Sequence, residues 1–178
     1  MSVVNDSFDR CYGLFAGSSL SAPVRDALPE TGGRVLNLGS GVKPYCSTKN
    51  VEVVNMDNDM DPRRKEGNYQ IDVEGSALDR YPFPDGHFDH VMGEQLPSLI
   101  GWKPQLINEA ARVLKPGGTL HLHSNTTIYD KKEVHESLTK AGFENIQVLS
   151  NGNAIKATKQ RYNIGGWEVI AQQLGIDR

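Results

Sequence analysis

What the chain has little of narrows its class first. It has two cysteines, Cys11 and Cys46. They are far apart, with no cysteine partner at metal-ligand spacing and no histidine cluster beside them. That excludes a disulfide scaffold and argues against structural zinc, and both are expected as thiols in a reducing compartment. No charge of one sign dominates: 19 Lys+Arg against 22 Asp+Glu leave a net charge of -3. Such a balance offers no field for gripping a phosphate backbone, so nucleic acid is not an expected partner. Long apolar runs are missing as well. The opening residues Met1-Ser2-Val3-Val4-Asn5-Asp6 turn polar before a signal-peptide core can form, and no stretch approaches the length that spans a bilayer. A cytoplasmic protein without a membrane partner is the expectation. No internal repeat or low-complexity tract breaks the chain up.

What is there fits one α/β domain. At 178 residues with 38% hydrophobic content, the chain can bury one core but not two. It divides into an N-terminal cover (1–30), a core (34–158) and a C-terminal helix (163–178). Residues 6–15 and 21–28 read as short, weakly helical pieces. A buried strand over 34–38 stops at Gly39-Ser40-Gly41, where the chain must turn tightly. A second strand over 51–56 ends on Asp57, and a brief third over 69–71 ends on Asp72. Residues 88–92 form the fourth strand. The spacing of Leu106, Ile107, Ala110, Val113 and Leu114 predicts a helix over 105–115, ended by Pro116-Gly117-Gly118. A fifth strand follows over 119–123. The next helix starts near Asp130, which with Glu133 resembles a capping box. Its inner stripe is Val134, Leu138 and Ala141, and Gly142 stops it. Residues 144–149 and 153–158 then flank Asn151-Gly152, a hairpin signal. In the tail, Trp167, Ile170, Ala171 and Leu174 share one helical face; packing on the chain's own core is the simpler reading, with a dimer contact or a wall of an acceptor site left open. Strands alternating with helices and closed by a hairpin imply a mostly parallel sheet that binds ligand at the carboxyl ends of its strands.

The chemistry-bearing residues sit at those ends. Gly39 and Gly41 allow a ligand close to the backbone, and Asp57, eighteen positions beyond Gly39, is placed to accept hydrogen bonds from ribose hydroxyls. A dinucleotide site would need a third glycine opening a helix, but Pro44 stands there. The pyrophosphate cradle is therefore missing, and a nicotinamide-dependent oxidoreductase is disfavoured. A methyl donor carrying no phosphate tolerates that loss.

Four blocks then occur in order: Arg34-Val-Leu-Asn-Leu-Gly-Ser-Gly41, Val54-Asn-Met-Asp57, Tyr81-Pro-Phe-Pro-Asp-Gly-His-Phe-Asp89 and Arg112-Val-Leu-Lys-Pro-Gly-Gly-Thr-Leu120. With them the chain resembles the type 11 family of class I S-adenosylmethionine-dependent methyltransferases over about 34–158. The resemblance implies a Rossmann-like three-layer sandwich whose seven-stranded sheet has the order 3-2-1-4-5-7-6 with an antiparallel C-terminal hairpin. It implies S-adenosyl-L-methionine as cofactor, with Gly39, Ser40 and Gly41 beside the methionine part, Asp57 on the ribose, Asp72 and Val73 at the adenine, and Gly93 and Glu94 near the sulfonium. Two departures stand out. Asn37 replaces an acid of the first block, and Met92-Gly-Glu-Gln-Leu-Pro-Ser-Leu99 replaces a histidine-containing element. The link over 124–129 is short, which suggests an open acceptor site or one completed by a partner protein or a second copy. The implied function is methyl transfer to a small-molecule or sugar-containing acceptor, the alternative being a non-catalytic methyltransferase-like binding module. Glu94 and His123 are the candidate bases. His121 and His123, two apart, are expected on a partly solvated sheet face; no third ligand accompanies them, and no metal is expected.

Overall fold

The computed structural model describes residues 12–13, 32–41, 45–47, 49–58, 71–97, 102–124, 131–149 and 152–161. Seven strands form one sheet: β1 Gly33–Leu38, β2 Val51–Asp57, β3 Val73–Glu74, β4 Phe88–Leu96, β5 Leu114–Ser124, β6 Phe143–Leu149 and β7 Ala154–Lys159. Their order is β3-β2-β1-β4-β5-β7-β6. The first five pair in parallel, and β7 runs antiparallel to both β5 and β6. The expected order with its terminal hairpin is thus the observed one. Two helices lie in the described residues, α1 Pro104–Val113 and α2 Lys131–Lys140.

Side-chain alternation sorts the sheet into two faces. Leu36, Leu38, Val91, Leu120, Leu122 and Ile155 point one way and form the main core with Leu106, Ile107 and Ala110 of α1 and Val134 and Leu138 of α2. Val35, Val53 and Met92 point the other way and cluster with Val51 and Tyr45. Burial of β1 on both faces explains why 35–38 reads as a continuous apolar run broken only by Asn37. Each fully buried leucine contributes about 1.5–3 kcal/mol.

The loop entering β4 is fastened to α1 by Arg112. Its guanidinium donates to the carbonyls of Tyr81 (3.0 Å) and Phe83 (2.8 Å) and to the carboxylates of Asp85 (2.8 Å) and Glu109 (2.7 Å). Glu109 in turn accepts from the Tyr81 N–H at 2.9 Å. Asp89 is structural, as its position at the strand start suggests: it accepts from Arg34 N (2.9 Å) and Lys115 Nζ (2.8 Å). Gly118 is required by close approach, since a Cβ there would lie 2.8 Å from the Asp89 carbonyl oxygen and 2.9 Å from that of Lys115.

Several sequence expectations need correction. The helix expected over 105–115 ends at Val113; Leu114 is already extended (φ -73, ψ 139) and pairs with Phe88 in β5. Pro116 disfavours helical backbone at Lys115, which explains the earlier stop. The third strand is Val73–Glu74, with Asp72 preceding it, because the Asp72 N–H and carboxylate bond to the Asn55 backbone before the ladder begins. Tyr12–Gly13, expected within a weakly helical piece, is instead extended and pairs in parallel with Tyr45–Cys46; tertiary pairing overrides a weak local preference. The terminal hairpin closes through Leu149 and Ala154, so its loop is longer than a two-residue turn, with Gly152 at φ 95. The rest of the N-terminal cover, the C-terminal helix, Asp130, Asn151, Cys11 and the Cys46 side chain lie outside the described residues. Among the described residues no helix is long and apolar enough to cross a membrane.

His121 is the clearest correction: it is 3% exposed and not solvated. β5 lies between β4 and β7, and an inner strand buries both of its faces. Neither ring nitrogen has a partner among the described residues. Burial, with Lys156 and His123 nearby, pushes its pKa down to about 4. His90, hydrogen-bonded to Thr119 at 2.6 Å, is lowered too, first by burial. A base depressed in the folded state is neutral there while the unfolded chain takes up a proton, so the stability it permits is full above about pH 6.5 and is lost as pH falls toward 4. Urea unfolding across that window is expected to show a loss on the order of 3 kcal/mol from His121, and the variant His121→Phe is expected to flatten the profile. The Arg112-paired acids, whose pKa values are lowered, act in a separate, more acidic window.

Candidate functional site: the carboxyl ends of β1, β2 and β4

β1 ends in a turn with Gly39 at φ 66 and Gly41 at φ 55, left-handed values that favour glycine. The turn is tied to β2 through Gly39 N (2.9 Å) and Ser40 N (3.3 Å), both donating to the Met56 carbonyl. Asp57, the last residue of β2, accepts the Gly41 N–H through Oδ2. The glycine turn and the acid that the sequence coupled at a distance are therefore in direct contact. Ser40 is buried, and its hydroxyl has no partner among the described residues.

β3 begins beside this turn. Gly75 N donates to the Asp57 carbonyl at 2.8 Å, and Val73 pairs with Met56. Asp72 is exposed, but its Oδ2 accepts from Asn55 N (2.7 Å) and Asn55 Nδ2 (3.1 Å). On the other side of β1, Gly93 pairs with Leu38, and β4 then bulges: Gly93 faces Leu122 and Leu96 faces Ser124, two intervening residues against one. The bulge re-aims Glu94, whose Oε2 accepts the Tyr45 hydroxyl. It also turns Leu96 back into the core, where Ser124 Oγ donates to its carbonyl at 2.9 Å. Leu96 fills the space between the two glycines, since a Cβ on Gly39 or Gly93 would come within 2.7 Å of its methyl groups. The fold thus gathers Gly39, Ser40, Gly41, Asp57, Asp72, Val73, Gly93 and Glu94 along four adjacent strand ends. His123 lies one strand further, on β5 opposite Ala154, with its Nδ1 buried and unpartnered among the described residues.

Sequence reasoning missed three participants. Tyr45 spans from the segment after the turn to Glu94, and burial, reinforced by Glu94, pushes its phenol up so that it stays a donor. Asn55 holds that segment in place: its Oδ1 accepts from Tyr45 N (2.9 Å) and Asn37 Nδ2 (3.0 Å), while its Nδ2 donates to the Tyr45 carbonyl (2.9 Å). Leu96 is the third. Asn55 alone carried a signal, as a polar residue inside an apolar strand that must find partners. Asn55→Ala would leave Asn37 and both backbone groups of Tyr45 without their bonds and is expected to lower the unfolding free energy by about 3 kcal/mol. In the same denaturant series, exposed Asn50→Ala is expected to change it by about 0.5 kcal/mol or less.

A family model described as a methyltransferase domain matches residues 36–122. No protein of curated function matches the sequence. Solved structures share the fold. One is a Bacillus halodurans protein assigned to the methyltransferases, 19% identical, with a TM-score of 0.57 over 77% of this chain and 96% of its own. Another is an S-adenosylmethionine-dependent methyltransferase of Methanosarcina mazei, 21% identical, with a TM-score of 0.56 over 82% of this chain and all of its own. A third is phosphoethanolamine N-methyltransferase 2 of Haemonchus contortus in complex with S-adenosyl-L-methionine, 15% identical, with a TM-score of 0.54 over 78% of this chain and 51% of its own. Over residues 36–122 the chain matches a methyltransferase domain, and its described sheet shares the Rossmann-like α/β fold of these methyltransferase structures.

Proposed function

We propose that the chain is an S-adenosylmethionine-dependent methyltransferase acting on a small-molecule or sugar-containing acceptor. The observation that carries the cofactor half is the Asp57 carboxylate lying on the Gly41 N–H. In a dinucleotide site the backbone donors of this turn face a pyrophosphate. Here a carboxylate occupies that place, so the turn is hostile to phosphate and suited to hydroxyls and cations. The unpartnered Ser40 hydroxyl at the same turn offers a further hydrogen bond to a ligand.

Asp57 would accept from the ribose hydroxyls, Asp72 and Val73 would border the adenine, Gly39, Ser40 and Gly41 would pass the methionine part, and Gly93 and Glu94 would close its far end. When bound, S-adenosylmethionine supplies a methyl group activated by a sulfonium. The chain's contribution is then alignment for in-line displacement, and a base is needed only where the acceptor must lose a proton. His123 and Glu94 are the candidates for that base. The sugar-containing acceptor rests on the family resemblance alone. A second reading, a methyltransferase-like module that binds without turnover, is favoured by the altered residues 93–99, where Glu94 is engaged by Tyr45 and Leu96 fills the gap between the glycines.

Calorimetric titration with S-adenosylmethionine, S-adenosylhomocysteine and NAD separates these readings. The first two are expected to bind and NAD is not, and Asp57→Ala is expected to weaken both by roughly tenfold or more. Binding of NAD in preference to the sulfur nucleosides would overturn the proposal. Binding with no transfer across a panel of glycan and small-molecule acceptors would favour the module.

A further inference from the structure

Resting on that cofactor reading, we propose that the methyl acceptor carries a carboxylate, which Lys156 on β7 and His121 on β5 receive on the sheet face they share. In-register pairing lays one row of side chains across that face from β2 to β6: Asn55, Asn37, Met92, His121, Lys156 and Gln147. Met92 divides the row. On one side of it the two amides bond to each other. On the other, Lys156 stands directly opposite His121, their Cβ atoms about 5 Å apart. His123, two residues beyond His121, follows on the same face toward the carboxyl edge of the sheet.

The nitrogens on this side are buried with their hydrogen-bonding capacity unused. His121 is 3% exposed, and neither of its ring nitrogens nor Nδ1 of His123 has a partner among the described residues. Lys156 is half-buried and makes no ion pair among them. The surrounding acids are engaged or exposed. Glu94 accepts from Tyr45, Asp89 accepts from Arg34 N and Lys115, and Glu144, opposite Thr158, is exposed further along β7. Burial, then Lys156 and His123, push the His121 ring down to about 4, so the three side chains lie within electrostatic reach of one another. Near neutral pH the His121 ring is therefore neutral and Lys156 supplies positive charge. One carboxylate matches that charge and accepts from both the ammonium and an imidazole N–H. An uncharged ligand would leave the ammonium unmatched, and a dianionic phosphate would exceed it. His123 lies about 7 Å nearer the strand ends proposed for the cofactor. An acceptor whose acid reaches Lys156 and His121 thus runs past His123, the candidate base, and presents its accepting atom toward the sulfonium.

The test titrates acetate, benzoate and glucuronate, each against its amide, into the full chain saturated with S-adenosylhomocysteine at constant ionic strength. Imidazole NMR signals of the five histidines report where each probe binds. His87, bonded to Arg34, and His135 on α2 serve as internal references. At least one acid is expected to give saturating shifts at His121 and His123 but not at the references, and to bind roughly tenfold more tightly than its amide. Lys156→Met is expected to reduce that preference to within about twofold, and Lys156→Arg to restore most of it. Unchanged reference signals show that each variant is folded. The proposal is overturned if no acid is preferred to its amide, if all four signals move together, or if the preference survives in Lys156→Met. Tighter binding of inorganic phosphate than of every acid would overturn it as well. Failure of S-adenosylhomocysteine itself to bind, read by calorimetry before any acid is added, would instead overturn the cofactor reading.

Discussion

The side-chain amide of Asn55 is the point on which the geometry of the candidate site depends. Its oxygen accepts twice, from Asn37 and from Tyr45 N, and its nitrogen donates twice, to the Tyr45 carbonyl and to Asp72. That uses its full complement of two donors and two acceptor lone pairs. One 5%-exposed residue thereby joins β1, the segment after the glycine turn and the start of β3. A buried amide with every bond made fixes a unique arrangement, whereas the same amide with one bond missing would be costly. Removing its β1 partner would orphan an acceptor site, and removing the Tyr45 segment would orphan several groups at once. The register of three chain segments around the site is therefore one cooperative choice.

That arrangement also sets the electrostatics. Asn55 takes up Asn37 and one oxygen of Asp72, so neutral, mutually hydrogen-bonded side chains lie between them. Two carboxylates at the strand ends beside them, Asp57 and Glu94, stand on opposite sides of β1. Each is held by a donor from the glycine turn or the segment that follows it: Gly41 N–H for Asp57 and the Tyr45 hydroxyl for Glu94. Two anchored carboxylates thus flank a neutral strand.

Much of the sheet was legible because its signals are local. The apolar run before Gly39-Ser40-Gly41, the Asp57 that follows it in register, and the hairpin glycine at Gly152 each act through their own backbone conformation or through a neighbouring strand. Local pattern fails where a distant partner decides. Tyr12–Gly13 gave no strand signal because its pairing partner is Tyr45–Cys46. Tyr45 gave no site signal because its hydroxyl is satisfied by Glu94, 49 residues away. The His121-Leu122-His123 alternation reads as a solvated face by pattern alone; burial of His121 follows from the position of β5 inside the sheet, which only the topology supplies. Leu114 fits the α1 pattern equally well because its apolar character serves the core from a helix or from the strand it joins.

The end of β4 shows how a small irregularity links packing to the site. Had β4 continued in register past Gly93, Glu94 would have stayed within the ladder and the space between Gly39 and Gly93 would have been a void. The extra residue in the bulge lets Leu96 fill that void from the core side, and an empty methyl-sized cavity there would cost on the order of 1 kcal/mol or more. The same residue frees Glu94 to face Tyr45. The two glycines follow from Leu96, because any Cβ at position 39 or 93 would collide with it at 2.7 Å. The glycines at these two strand ends therefore answer to the core beneath them. A larger side chain at either would first displace Leu96 and, through the bulge, disturb the carboxylate of Glu94.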